Sequence, residues 1–516
     1  MIENNYVNLS ADERGDYQTP NEFAGKICKY INEKRKINPN IIVEPTFGIG
    51  NFIEQSILNF NSIHSIYGIE ISKKYFDYTQ DRFANLNKNF NLYNESIFDF
   101  DFENIKSNIN KEDKILIIGN PPWVTNTELE TKDSINLPEK KNIKKLNGFD
   151  ALTGKSNFDI AEYIILQLIE AFQGYNCTIA MLCKNIVVKN LIRDLKGFNF
   201  NINNIEMVPF EAKEVFGVSC DASLLIFDIS EISDDVCKVY NMESKELIKS
   251  FGWHEDVFIS DIEEYKNISS IDGCCTLEWR QGIKHDCSKI MQLKKNNNNN
   301  YINGLKEEIV LEDNYVYPML KSSDIKNIII NESRVHVIVT QQKVRQDTSE
   351  IEYKAPKLWR YLQKNSDFLD SRKSSIYRNS PRFSIFGVGD YSFKPFKVCV
   401  SGFYKEPIFS LAFREDKKPI MLDDTCYFIG FDNYKEALIT TILLNSDIVQ
   451  NFLKSIAFLD AKRPYTKEIL MRIDFKELYN IIDYMKFTAI KESLRINDDI
   501  TMEEYIEYYN TININT

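Results

Sequence analysis

No stretch of this chain is long and apolar enough to cross a bilayer as a helix. The best run, residues 160–172, is interrupted by Glu162, Gln167 and Glu170, and it falls short of the ~18–20 apolar residues that a span needs. The N-terminal stretch MIENNYVNLSADERGDY lacks the basic start and apolar centre of a secretory signal. The expected location is therefore the cytoplasm, with no membrane partner. Cysteine is sparse, at ten in 516 residues. That excludes a disulfide-built scaffold and suits a reducing compartment. Cys274, Cys275, His285 and Cys287 lie close in sequence, but they form no C-x-x-C pair, and adjacent cysteines rarely hold one tetrahedral ion together. Thiols without a metal are the expectation there. Positive charge is in deficit: 63 Lys and Arg against 75 Asp and Glu leave a net charge of −12. Taken over the whole chain, this argues against nucleic-acid binding.

Charge is local, however. Residues 351–397 hold ten Lys or Arg against four acids, Glu352, Asp367, Asp370 and Asp390, a net of +6. Tyr353, Trp359, Tyr361, Tyr377, Phe383 and Tyr391 interleave with them. Such a stripe is either a phosphate-binding surface or a solvated charged face. The acidic excess lies elsewhere, including the tail at 498–507.

With 516 residues the chain exceeds one ordinary core, and two domains are expected. Residues 20–230 alternate between strand-like and helix-like patterns. Apolar runs at 41–44, 65–70, 91–93, 114–118, 177–182 and 222–227 show little polar alternation, which implies a sheet covered on both faces. Residues 158–172 carry apolar side chains at helical spacing. The alternation predicts a doubly wound, Rossmann-like α/β sheet, with its ligand site at the carboxyl ends of the strands. The pattern changes after about residue 240. Residues 301–430 mix short strands with polar turns, 432–512 read as helical, and the Asn-rich stretch 296–300 reads as a surface loop. The expected domains are 1–245 and 250–516, the second a mixed α+β domain.

The sharpest motif is Asn120-Pro121-Pro122-Trp123, directly after an apolar strand. The exocyclic nitrogen of adenine is a poor nucleophile because its lone pair is delocalised into the ring. Two acceptors aimed at its hydrogens would favour a tetrahedral nitrogen and stabilise the charge that develops on it. The Asn120 side-chain oxygen and the Pro121 carbonyl can serve, and the two prolines stiffen the loop that presents them. Trp123 offers a face on which a flipped base can stack, worth roughly 1–3 kcal/mol. That offsets part of the cost of unstacking it. A second motif, Glu44-Pro45-Thr46-Phe47-Gly48-Ile49-Gly50, follows the first strand; its glycines permit close backbone approach to a ligand. Glu70 ends the second strand, where an acid can hold a ribose diol.

These motifs, in this order, resemble the gamma-class N6-adenine-specific DNA methyltransferases. The resemblance implies a methyltransferase sheet, S-adenosyl-L-methionine as cofactor, double-stranded DNA as substrate and a C-terminal target-recognition domain. Tyr17-Gln18-Thr19-Pro20 is similar to the family's N-terminal cofactor motif, placing Tyr17 and Thr19 near the methionine end. Glu44, Pro45, Thr46, Phe47, Gly48 and Gly50 match its methionine-binding loop, and Glu70 and Ile71 its ribose and adenine contacts. Asn120, Pro121, Pro122 and Trp123 match the catalytic motif, Asn120 and Pro122 also bordering the cofactor. Phe216 resembles the aromatic that packs on the flipped adenine opposite Trp123. Segments 279–283, 317–324 and 461–466 resemble recurring pieces of the recognition domain. Two departures stand out. The family's adenine-binding acid is replaced by Ser96, followed by Ile97, with Asp99 nearby; and the fourth motif residue is Trp rather than Tyr or Phe.

Other readings remain open from the sequence. An amide or RNA amino group poses the same chemical problem, so methylation of protein glutamine or of RNA is an alternative. A catalytically silent DNA-binding protein is another. A motif beginning near residue 16 leaves no room for a preceding nuclease domain, so a stand-alone, monomeric modification enzyme is expected, with any cognate restriction endonuclease a separate protein.

Overall fold

The computed structural model describes residues 17–86, 88–124, 159–197, 201–296, 298, 300–416 and 418–514. The chain divides into two compact units, Met1–Glu263 and Glu264–Thr516.

The first unit is built on ten strands: β1 (Ile41–Glu44), β2 (Ser65–Ile69), β3 (Asn89–Tyr93), β4 (Ile115–Gly119), β5 (Cys177–Lys184), β6 (Ile202–Glu211), β7 (Asp221–Ile229), β8 (Val236–Tyr240), β9 (Leu247–His254) and β10 (Val257–Ile259). They form one sheet in the order β10-β9-β8-β6-β7-β5-β4-β1-β2-β3. The five strands from β3 to β5 run parallel; β7 is inserted antiparallel between β5 and β6. Helices α1 (Asn21–Tyr30), α2 (Asn51–Asn59), α3 (Lys73–Phe83), α4 (Glu103–Lys106), α5 (Ile160–Ala171), α6 (Asn185–Asp194) and α7 (Ala212–Phe216) connect them. This is a doubly wound, Rossmann-like methyltransferase sheet. The order reverses between β1 and β4, which opens a crevice at their carboxyl ends.

Local chemistry explains these elements. Every residue of β1, β2 and β4 is buried, as β-branched runs on a doubly covered sheet should be. The Asp159 side chain caps α5 by accepting from Ala161 N at 3.0 Å, and Ser72 caps α3. The helix expected at 158–172 is α5; residue 158 lies outside the described residues. Strand β6 escaped the sequence reading because Asn203, Asn204, Glu206 and Pro209 interrupt its apolar pattern, and its register shifts between Asn203 and Glu206. The expected boundary at 245–250 falls inside the β8–β9 pairing, and the division between units follows Glu263.

The second unit carries two sheets. Its strands are β11 (Arg280–Gln281), β12 (Gln292–Lys295), β13 (Tyr301–Asn303), β14 (Glu308–Ile309), β15 (Val316–Leu320), β16 (Ile329–Ile330), β17 (Val335–Ile338), β18 (Phe396–Ser401), β19 (Ser410–Ala412), β20 (Met421–Leu422) and β21 (Cys426–Phe431). The sheets run β11-β21-β18-β19-β16 and β14-β13-β12-β17-β15-β20. The helix Pro356–Lys364 buries Leu358, Tyr361 and Leu362 in the same core as Leu293, Val316 and Val337 of the second sheet. After β21 the chain is helical, through Tyr434–Leu444, Asp447–Ile456, Tyr484–Ser493 and Met502–Ile514. Among the described residues no helix is long and apolar enough to cross a membrane.

Candidate active site

The loop leaving β1 is shaped by its glycines. Gly48 (φ 50°) and Gly50 (φ 77°) lie in the left-handed region. A Cβ on Gly48 would stand 2.3 Å from Gln18 Oε1, so any larger residue here would be strained at this left-handed φ and would have to displace the Gln18 side chain. Glu44 is buried, its Oε2 has no partner among the described residues, and burial pushes its carboxyl well above the usual range. Phe47 N donates to the Ile69 carbonyl at 3.1 Å, joining the loop to β2.

Glu70, at the end of β2, completes that joint. Its Oε2 accepts from Gly48 N at 2.8 Å and its Oε1 from Ser72 N at 2.7 Å. The carboxylate thereby ties the glycine loop to the turn that follows β2.

The loop leaving β4 carries Asn120-Pro121-Pro122-Trp123. Asn120 Nδ2 donates to the Tyr17 carbonyl at 2.9 Å, which settles the orientation of the amide. Its Oδ1 is buried and has no partner among the described residues. An unpaired buried acceptor is costly and marks a place where a donor belongs. Thr46 Oγ1 donates to the Asn120 carbonyl at 3.3 Å, which ties the glycine loop to the proline loop. Three segments distant in sequence therefore meet at one residue, Asn120.

Trp123 is buried, its Nε1 donating to the Leu182 carbonyl of β5 at 3.3 Å. It sits in an aromatic cluster with Tyr17 at 6.3 Å, Phe210 at 6.3 Å and Phe216 at 5.2 Å between ring centres. Phe23 adjoins it through Phe210 at 4.9 Å. Trp123 and Phe216 meet edge to face, at 77°. A base between parallel rings needs them about 7 Å apart, twice an ordinary contact distance. The two residues are thus brought together as expected, but they touch each other, with no room for a base between the rings. Phe216 ends the short helix α7, and Gly217 behind it is at φ 75° with open space around its Cα.

The remaining expected residues divide. Thr19 is buried and its carbonyl accepts from Asn51 Nδ2 at 2.8 Å, while Pro45 is buried beside Gly119. Ile97 is buried, with Gln167 Nε2 donating to its carbonyl at 3.0 Å. Ile71 is 45% exposed, free to cover a ligand. Ser96 Oγ already accepts from Phe98 N at 3.3 Å, which makes it a turn residue first. Sequence reasoning missed the anchors of the glycine loop. Gln18 Oε1 accepts from Ile49 N at 3.1 Å, Thr79 Oγ1 donates to the Gly48 carbonyl at 3.0 Å and Arg82 Nη1 donates to the Ile49 carbonyl at 2.7 Å. Thr79 and Arg82 reach the loop from α3 only through the fold, so no local pattern announces them.

The cysteine cluster is spread out. Cys274 is exposed, Cys275 Sγ donates to the Leu277 carbonyl, and His285 Nδ1 accepts from Cys287 N at 3.1 Å. Burial lowers His285 to about 4. Among the described residues no three metal-ligating side chains converge.

No family model matches the chain. A curated relative, the type II methyltransferase M.NspV of Nostoc sp., is 39% identical over 486 residues, covering 93% of this chain and 100% of the relative. Among solved structures, the type I restriction-modification methyltransferase subunit of Streptococcus thermophilus aligns at TM-score 0.31 and 11% identity, over 48% of this chain and 50% of that one. The M protein of the type I restriction enzyme EcoKI aligns at TM-score 0.31 and 11% identity, over 44% of this chain and 48% of that one. This chain thus spans about half the length of each of those two structures. At such scores they carry no weight beside the strand order itself.

Proposed function

The chain belongs to the type II methyltransferases, and on that premise we propose that it methylates the N6 amino group of an adenine flipped out of double-stranded DNA. The observation that carries this reading is the Asn120 amide, tied by its nitrogen to Tyr17 and presenting a buried oxygen without a partner. An NH2 group is what such an oxygen awaits. Asn120 Oδ1 and the Pro121 carbonyl accept the two amino hydrogens and polarise the nitrogen as it becomes positively charged. Because the prolines and Tyr17 fix the loop beforehand, little reorganisation is needed during attack. Trp123 stacks on the base once Phe216 has moved to its other face. One amino proton then leaves the methylated nitrogen, so no strong base is required.

S-Adenosyl-L-methionine, bound beside this loop, supplies an electrophilic methyl group on a good leaving sulfonium. The residues present fit it. Gly48 and Gly50 leave the backbone uncovered where a side chain would collide, and Glu70 stands against that loop, bonded to Gly48 N, where a carboxylate would accept from the ribose diol. Tyr17 and Thr19, with the loop Glu44, Pro45, Thr46 and Phe47, would hold its methionine end; Ile71, Ser96 and Ile97 would hold its adenine, and Asn120 and Pro122 would border the cofactor from the β4 loop. The second unit selects the DNA site, and the protein acts as a monomer, with a separate restriction endonuclease as its functional counterpart.

The test is methyl transfer from labelled cofactor to DNA, RNA and protein pools, with nucleoside analysis of the product. Label on N6 of adenine in duplex DNA is expected. Label on cytosine, RNA or protein would overturn the substrate. Asn120→Ala should cut turnover by about 10²–10³-fold or more while cofactor binding persists; near-normal turnover would remove the catalytic role.

A further inference from the structure

Two exposed loops of the second unit are fastened to the same short segment, residues 382–385. The first is the turn at 342–347. On either side of it, Thr340 Oγ1 donates to the Phe383 carbonyl at 3.0 Å, Gln341 Oε1 accepts from Ile385 N at 3.4 Å, and Thr348 Oγ1 donates to the Arg382 carbonyl. The second is the arch at 371–382. Arg372 Nη1 donates to the Ser384 carbonyl at 2.8 Å and to the His285 carbonyl at 3.3 Å. Its guanidinium lies 3.7 Å from the ring centre of Tyr377, whose hydroxyl donates to the Lys284 carbonyl at 3.3 Å. Both loops are thus braced at the base and exposed at the tip.

Their tips have the same composition. The turn presents Val344, 43% exposed, between Lys343 and Arg345; the arch presents Ile376, 38% exposed, between Lys373 and Arg378. The arch holds four cations, Arg372, Lys373, Arg378 and Arg382, and no acid. Acids do lie nearby. Lys343 pairs with Asp390 at 3.6 Å and Arg382 with Asp370 at 2.9 Å, but all four side chains are well exposed, so these pairs are weak and readily exchanged. Asp347 is turned to its own Ser349. Arg345, Lys373 and Arg378 have no ion-pair partner among the described residues. The backbone is strained as well: Arg345 and Phe383 both lie at φ 64°, a conformation uncommon for any side chain and costly for an aromatic one. Such strain persists where surrounding structure enforces it, often at binding sites.

We propose that these two loops form a fork that grips duplex DNA, with Lys343, Arg345, Lys373 and Arg378 against phosphates and Val344 and Ile376 against the groove surface between them. The inference rests on the DNA reading above. A protein of net charge −12 repels DNA as a whole, so its phosphate contacts must come from a local cluster. Bracing at the base means little conformational freedom is lost on binding. Val344 and Ile376 leave aliphatic surface open to solvent, and that surface matches the apolar sugar and methyl surface of a groove.

The experiment titrates full-length protein, with S-adenosylhomocysteine present, against a short fluorescent duplex of random sequence. Phosphate contacts then dominate the signal and no recognition site need be known. Binding is followed between about 50 and 200 mM salt. Lys373→Glu with Arg378→Glu should weaken binding at least about tenfold and reduce the slope of log affinity against log salt by about 2, the loss of two phosphate contacts. Lys343→Glu with Arg345→Glu should act in the same direction. Lys476→Glu with Lys486→Glu, at exposed positions on other helices of the same unit, should leave the slope unchanged. If the reversals prevent folding, the Gln versions at 373 and 378, which only remove charge, should still lower the slope. Wild-type slope and affinity in the fork variants overturn the proposal, as does an equal loss in the control pair. Wild-type protein that binds S-adenosylhomocysteine but ignores the duplex overturns the DNA reading itself, and the fork with it.

Discussion

Glu162 stands in the first turn of α5, where Asn190 Nδ2 donates to it at 3.2 Å. Burial is the larger influence and raises its carboxyl to about 7, the Asn190 hydrogen bond pulling the other way. Its folded value therefore exceeds its unfolded one. Protonation favours the fold fully below the ordinary carboxylate value of about 4.3, and this contribution is lost as pH rises through 7. Glu162→Gln keeps an acceptor for Asn190 but cannot ionise. Wild-type protein should lose stability between about pH 5 and about pH 8 by an amount of order 3 kcal/mol at most, and the variant should not. Denaturant unfolding at the two pH values decides it, and equal losses in both proteins would refute the assignment. At this scale the sequence was informative about identity and silent about partners. Asn120 stood out because its neighbours are two prolines and a strand. That its nitrogen would be spent on Tyr17 and its oxygen left open depends on two segments folding together. Ser96 was placed by resemblance alone, and its hydroxyl turned out to serve Phe98.

The glycine loop between β1 and α2 shows how an element is specified from outside itself. Gln18, Thr79, Arg82 and Glu70 all bond to its backbone, so its path is fixed before any ligand arrives. Gly48→Ala puts a methyl group into Gln18 at a left-handed φ. Cofactor affinity should fall at least about tenfold, as a strain of about 1–3 kcal/mol predicts, while the circular dichroism of the sheet is retained. Calorimetric titration with S-adenosylhomocysteine measures it, and unchanged affinity would mean that the loop is softer than its hydrogen bonds imply. Among the strands, β1, β2, β4, β5 and β7 were legible as apolar runs, and β3 as a shorter one at 91–93. Strand β6 was not, because its polar residues break the pattern, and β8 to β10 were not, because Lys238, Lys249 and Ser250 interrupt the first two and the third has only three residues. In the second unit most strands have two to five residues, too short for any periodicity to register.

For the molecule as a whole, the composition suggested two domains and the change of pattern suggested where, yet the division falls after Glu263. We propose that the first unit extends that far functionally as well. A fragment of residues 1–263 should remain monodisperse and bind S-adenosylhomocysteine. A fragment of 1–245 should aggregate, because losing β9 and β10 leaves β8 as an unpaired edge. Light scattering distinguishes the two, and identical behaviour would place the functional boundary earlier. Net charge is likewise coarse: −12 is a sum over the chain that hides an arch of four cations. One further trait links distant parts of the first unit. The carbonyl that aims the Asn120 amide belongs to Tyr17, 103 positions upstream. The aim of the amide proposed to be catalytic is thus set by a residue far from its own loop. A tag fused tightly ahead of Tyr17, or a protease nick beside it, would detune turnover with every motif residue intact. Such a preparation would pass each quality check except the one that counts methyl groups.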